Sequence, residues 1–103
     1  MDVPEVGVDD LAQALAAGSA HVIDVREPAE FATGRVPGAV LMPLHTVPAR
    51  LAEIPTDSDV YVVCEVGGRS WQAAAYLVQR GVRATNVAGG TAQWRARGLP
   101  LEA

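Results

Sequence analysis

Val60-Tyr61-Val62-Val63-Cys64-Glu65-Val66-Gly67-Gly68-Arg69-Ser70 is the stretch that decides the fold. Four apolar, strand-favouring residues, Val60 to Val63, stop at the one cysteine of the chain, and two glycines, an arginine and a serine follow. The next stretch, Trp71 to Arg80, reads as helix, which puts Cys64 at a tight turn between a buried strand and a helix start. Ligands of open α/β sheets bind at the carboxyl ends of strands. A helix N-terminus presents unpaired N–H groups and the positive end of its dipole. Both push a thiol towards thiolate, its nucleophilic form. Gly67 and Gly68 let successive N–H groups turn inward as a nest for an anion. A lone cysteine can equally be a small buried hydrophobe, but the glycines and Arg69 favour a reactive thiol.

Outward from this stretch, strands and helices alternate. Val6 to Val8 reads as a short strand, followed by a helix to Ala17 capped by Asp9 or Asp10 and stopped by Gly18. His21 to Val25 is a short apolar strand, and Pro28 to Thr33 a helical turn closed by Gly34. Val40 to Met42 reads as a third strand, with a helix around Val47 to Glu53 after it. Beyond the central strand, Trp71, Ala74, Ala75, Leu77 and Val78 form the apolar stripe of a helix capped by Gly81. Ala84 to Val87 and Thr91 to Arg97 supply a last strand and a last helix. Such alternation predicts an α/β fold of three layers, a parallel sheet covered by helices on both faces.

The 103 residues read as one domain, 1–103, large enough for a core without disulfides. A net charge of −4 with no basic stripe argues against nucleic-acid and anionic-membrane partners. One cysteine and two histidines make neither an internal disulfide nor a convincing zinc site. No signal-peptide pattern opens the chain and no apolar run reaches membrane-spanning length, so the expected location is the cytoplasm, which suits an exposed free thiol.

Three ordered stretches carry a resemblance. Cys64 to Ser70 resembles the active-site loop of the rhodanese (sulfurtransferase) domain: a cysteine, four residues, then Arg-Ser. Ile23-Asp24-Val25-Arg26-Glu27-Pro28, with Glu30-Phe31 and Gly34-Arg35-Val36-Pro37-Gly38-Ala39, resembles the first signature of that family. Val87-Ala88-Gly89-Gly90, Trp94 and Gly98-Leu99-Pro100 resemble its C-terminal signature. The resemblance implies five parallel strands, with the Cys64 strand central and the Asp24 strand beside it. It also implies sulfur transfer: Cys64 takes a sulfane sulfur from thiosulfate, a polysulfide or a persulfide and passes it to cyanide or a thiol. The intermediate is a persulfide, and no metal or organic cofactor is required. Related phosphatases and arsenate reductases have one more residue between Cys and Arg, enough to admit a tetrahedral oxyanion. The four residues here match the sulfurtransferase length. A low-turnover sulfur-relay or protein-binding module, with a sulfur-accepting protein as partner, is the second reading.

Cys64 and Arg69 are therefore the expected catalytic pair, with Glu65, Val66, Gly67, Gly68 and Ser70 lining the substrate. Arg69 contacts the donor anion or locks the loop by bonding its carbonyls. The hydroxyl of Ser70 caps the helix or reaches the sulfur. Glu65 departs from the basic or neutral polar residue often found there in active members of the family. A carboxylate about 6 Å from a thiolate repels it by roughly 2–3 kcal/mol at an effective dielectric of about 20. That predicts poor use of doubly charged thiosulfate and a lower KM for it in Glu65→Arg, unless the side chain points outward. Asp24 is expected to accept backbone hydrogen bonds from the 34–38 loop, with Arg26, Glu27 and Glu30 in local ion pairs. Arg35 replaces the usual histidine and alters rim charge. Trp94 reads as core, and Trp71 as core or pocket wall. His21 and His45 stand on unrelated elements.

Overall fold

The computed structural model describes residues 2–103. Five parallel strands form one sheet: β1 (Glu5–Val6), β2 (His21–Asp24), β3 (Val40–Leu41), β4 (Asp59–Val63) and β5 (Arg83–Val87), in the order β1-β5-β4-β2-β3. β4 is central with β2 beside it, Asp24 opposite Val63, as the family resemblance implied. The chain steps from β2 outward to β3, then crosses back to β4 and continues to β5 on the other side. Connections from β2 and β4 thus leave in opposite directions. The point between their carboxyl ends is the usual ligand position of such sheets.

Successive side chains of a strand point to opposite faces. Val60, Val62 and Cys64 join Ile23, Val25 and Ala84 in a core under α3 (Gly68–Gln79), with Ala73, Ala74 and Leu77. Val63, Val22 and Val87 join Val8, Leu11 and Trp94 in a second core under α1 (Val8–Ala16) and α4 (Gly90–Ala96). Burying each Val or Leu contributes about 1.5–3 kcal/mol. The sheet is therefore held from both sides, and the expected three layers are present. The short α2 (Pro28–Ala32) follows β2, and Pro43 to Glu53 is built from two 3-10 turns, Leu44–Thr46 and Pro48–Glu53.

Several boundaries differ from the sequence expectation. The first strand is Glu5–Val6, and Val8 already belongs to α1. Gly7, not Asp9 or Asp10, is the N-cap. Asp10 instead sits in the first turn, where its Oδ2 accepts the Gly7 N–H at 3.3 Å. The segment expected as an α-helix around Val47 to Glu53 is the tighter 3-10 form, begun at Pro48, which lacks an N–H. The largest difference is in α3, which begins at Gly68 rather than Trp71. Its buried stripe runs Ser70, Ala73, Ala74, Leu77, so Trp71 is rotated out to 43% exposure and is not core. Trp94 is core, with its Nε1 donating to the Pro100 carbonyl at 2.7 Å.

Candidate active site

The carboxyl end of β4 delivers Cys64 to the point between the ends of β2 and β4, and the next three residues curl beneath the start of α3. The curl depends on Gly67, whose φ of 113° lies in the region that side-chain-bearing residues avoid. It turns the backbone so that the Gly67 N–H donates to Cys64 Sγ at 3.1 Å. Because α3 starts early, Ser70 falls in its first turn, and its Oγ reaches Cys64 Sγ at 3.2 Å. The capping role considered for Ser70 therefore falls to Gly67. Burial pushes the Cys64 thiol up. The Ser70 hydroxyl and the amides of Ser70, Gly67 and Val66 outweigh it, leaving the thiol below its ordinary value. Cys64 is not the exposed thiol expected: the strand end and α3 pack over it to leave it only 1% exposed, yet the amides beside it face the sulfur.

The loop is held from behind by α4. The N–H groups of Thr91 and Ala92 donate to the Cys64 and Glu65 carbonyls at 2.8 and 2.9 Å, and Thr91 Oγ1 adds a bond to Cys64 O at 3.0 Å. The contact is so close that a Cβ on Gly90 would lie 2.5 Å from the Cys64 oxygen and 2.6 Å from that of Glu65, at a φ of +57°. Asn86 on β5 donates to the Gly67 carbonyl at 3.3 Å and to Glu5 at 2.7 Å. Gly90, Thr91 and Asn86 were absent from the sequence reading as loop supports. The Gly89-Gly90 pair was the available signal, since paired glycines mark close backbone approach.

Charges around the loop are arranged in pairs. Asp24 does not accept from the 34–38 loop. Its carboxylate is buried and takes the Arg26 Nε and NH2 groups at 3.0 and 2.8 Å, together with the Arg26 amide at 3.0 Å. It is Arg26 that reaches the loop, donating to the Gly34 carbonyl at 2.9 Å. Burial would lower the Arg26 guanidinium, but the hydrogen bonds and charge of Asp24, with those of Glu65, hold it above its ordinary value. Glu65 lies between Arg26 and Arg95, at 3.2 and 3.1 Å. The repulsion expected from Glu65 presumed an unpartnered carboxylate; two guanidiniums here offset its charge.

Arg69 does not lock the loop by bonding its carbonyls. Its guanidinium forms a two-pronged pair with Glu30 of α2, at 2.7 and 2.8 Å. The hydrogen bonds to Arg69, then that from the Glu27 amide, hold the Glu30 carboxyl down at about 2 despite some burial. Arg35 lies with its guanidinium 4.4 Å from the Phe31 ring centre and its backbone bonded to Glu102, while His45 faces Glu27 at 3.9 Å. Val66 is 70% exposed at the tip of the loop. Among the described residues no cluster of His, Cys, Asp and Glu could hold a metal ion, and no helix is long and apolar enough to cross a membrane.

Comparison with known proteins agrees with this geometry. A profile of the rhodanese-like domain matches residues 7–97. A sulfurtransferase of Allochromatium vinosum is 44% identical over 103 residues, covering 98% of this chain and 96% of its own. The thiosulfate sulfurtransferase GlpE of Pseudomonas entomophila is 37% identical over 86 residues, covering 82% of this chain and 79% of its own. Among solved structures, a rhodanese-related protein of Thermoplasma volcanium superposes with a TM-score of 0.90 at 27% identity, over 96% of this chain and 97% of that one. A rhodanese-like domain protein from Staphylococcus aureus gives 0.88 at 32% identity, over 98% of this chain and all (100%) of that one. With the Cys64 loop seated at the end of the central strand and matches spanning nearly its whole length, the chain belongs to the rhodanese-like domain family.

Proposed function

We propose that this chain is a sulfurtransferase that carries a sulfane sulfur on Cys64. The observation that carries the reading is the sulfur at the floor of a cup of donors: the Gly67 amide at 3.1 Å and the Ser70 hydroxyl at 3.2 Å. In the first step the Cys64 thiolate attacks the outer sulfur of the donor. The Sγ–S bond forms, the donor S–S bond breaks, and the leaving group (sulfite from thiosulfate, a thiolate from a persulfide) departs with the bonding pair. The negative charge moves to the outer sulfur of the new persulfide. In the second step cyanide or a thiolate attacks that outer sulfur and Cys64 leaves as thiolate. Donors already aimed at the cup stabilise charge in both steps without reorganising.

The roles of the loop residues follow from this. The Val66 and Gly67 amides and Ser70 hold the anion, Gly67 supplies the backbone turn, Gly68 opens α3, and Glu65 anchors the loop through Arg26 and Arg95. Arg69 adds positive charge near the thiolate. The four residues between Cys64 and Arg69 make a ring that suits one sulfur atom rather than a phosphate or arsenate group. A reducing, cytoplasmic setting suits such a thiol. The exposed Val66 and Trp71 beside the loop favour an acceptor with an apolar surface, as in a relay to a protein thiol.

Intact-protein mass after incubation with thiosulfate or polysulfide tests the reading. Wild type should gain one sulfur atom that cyanide removes, and Cys64→Ser should gain none. No adduct with any donor would leave a binding module.

A further inference from the structure

Three guanidiniums next to the candidate site already have carboxylates. Arg26 is held by Asp24 and Glu65, Arg95 by Glu65, and Arg69 by Glu30. Of these, Arg69 is the cation placed one residue before Ser70, whose hydroxyl touches Sγ, in the first turn of α3. Both prongs of its guanidinium are taken, at 2.7 and 2.8 Å, by a carboxylate that arrives from α2 and is itself only about one-third exposed. A two-pronged pair of this kind fixes geometry as well as charge. A dianionic donor approaching Cys64 therefore meets a thiolate whose neighbouring Arg69 is already engaged by Glu30. With Cys64 as thiolate, the seven charges named sum to −1, four negative (Cys64, Asp24, Glu30, Glu65) against three positive (Arg26, Arg69, Arg95).

We propose that Glu30 is a specificity-determining residue: by occupying Arg69 it turns the site against dianionic donors such as thiosulfate and towards singly charged ones, hydropersulfides and short polysulfides. The proposal rests on the sulfur-transfer reading. The physical basis is linear. Removing one negative charge near the reacting sulfur changes the energy of a dianion twice as much as that of a monoanion at the same place. The bias is constant over the working pH range, because the Arg69 pair holds the Glu30 carboxyl at about 2 and it stays ionised. Selectivity is thus built into the pair and not switched by protons.

Glu30→Gln tests this with little collateral change, because the amide oxygen can still accept the Glu27 N–H that Glu30 Oε1 takes at 2.9 Å. Thiocyanate formation is followed with two donors, thiosulfate and 2-hydroxyethyl hydropersulfide, the latter a monoanion with an uncharged body. The expected result is a rise in kcat/KM of roughly tenfold for thiosulfate and about threefold for the hydropersulfide, the square root of the first. Equal changes for the two donors, or none for thiosulfate, overturn the proposal. Wild type gives a second measurement that needs no variant: its kcat/KM for thiosulfate should rise between about 10 and 200 mM salt, as screening weakens repulsion. A fall would mean that Arg69 attracts the donor and would sink the idea. Wild type that takes up no sulfur from either donor refutes the sulfur-transfer reading instead, so the two failures are distinct.

Discussion

Ser70 acts on Cys64 through one hydroxyl, and its removal isolates that contact. With the hydroxyl gone, the amides of Ser70, Gly67 and Val66 remain to oppose burial, so Ser70→Ala should move the thiol pKa upward. Alkylation by iodoacetamide, followed against pH, should show a midpoint displaced to higher pH and a rate at neutral pH reduced several-fold. An unmoved midpoint would remove Ser70 from the account of reactivity. Cys64 and its glycines were legible in sequence because a strand end, a turn and a helix start are local patterns. The ion pairs were not. Arg26 and Glu65 are 39 residues apart, as are Glu30 and Arg69, and no window of sequence shows which charges the fold brings together. The assignment of Asp24 to the 34–38 loop failed for a local reason: Arg26, two residues on, curls back to it first.

Two elements hold the loop in place, and each has its own signature. The start of α4 presses on the loop from behind, and Gly90→Ala would force a methyl carbon against the Cys64 and Glu65 carbonyls while straining a φ of +57°. A loss of about 2–4 kcal/mol follows from the clash and the strain together, and thermal denaturation should show Tm lowered by roughly 10 °C or more. An unchanged Tm would mean that the loop yields freely. At the front, the Glu30–Arg69 pair ties α2 to α3. The folded Glu30 carboxyl sits at about 2, against 4.5 for an ordinary one, so it binds fewer protons than the unfolded chain between those values. Its stabilising contribution is complete above about pH 4.5 and lost as pH falls towards 2. Acid unfolding of Glu30→Gln should be less steep across that window than that of wild type, and an identical slope would show the pair to contribute nothing. Element types were mostly readable from periodicity, Pro48–Glu53 with its tighter 3-10 form being the exception, while for α3 only the start differed. The expected helix start was position 71, whereas glycine, arginine and serine form the first turn, which brings the Ser70 amide and hydroxyl to the sulfur.

At the scale of the whole molecule, the sheet works because its strands bury both faces while one fully buried ion pair is enclosed with them. Arg26 is fully buried with Asp24, at the point where β2 and β4 part company. Replacing Arg26 by Met leaves a buried carboxylate unpaired, which costs about 3–5 kcal/mol; Arg26→Met with Asp24→Leu should recover much of that loss. Urea denaturation of the two variants decides, and a double variant no more stable than the single one would refute the pairing argument. Alternation of strand and helix sufficed to read a covered parallel sheet. Strand order did not follow from it and came from resemblance, because periodicity says which side of a strand is apolar and nothing about its neighbours. The depth of Cys64, 1% exposed at the heart of this sheet, has one more consequence. A persulfide would carry the reacting atom about 2 Å further out. The empty protein would be charged only by slender molecules able to reach down to it, and the loaded one could be unloaded by much bulkier ones. Size would then impose a direction on the traffic, with bulky maleimides labelling the charged form faster than the resting one.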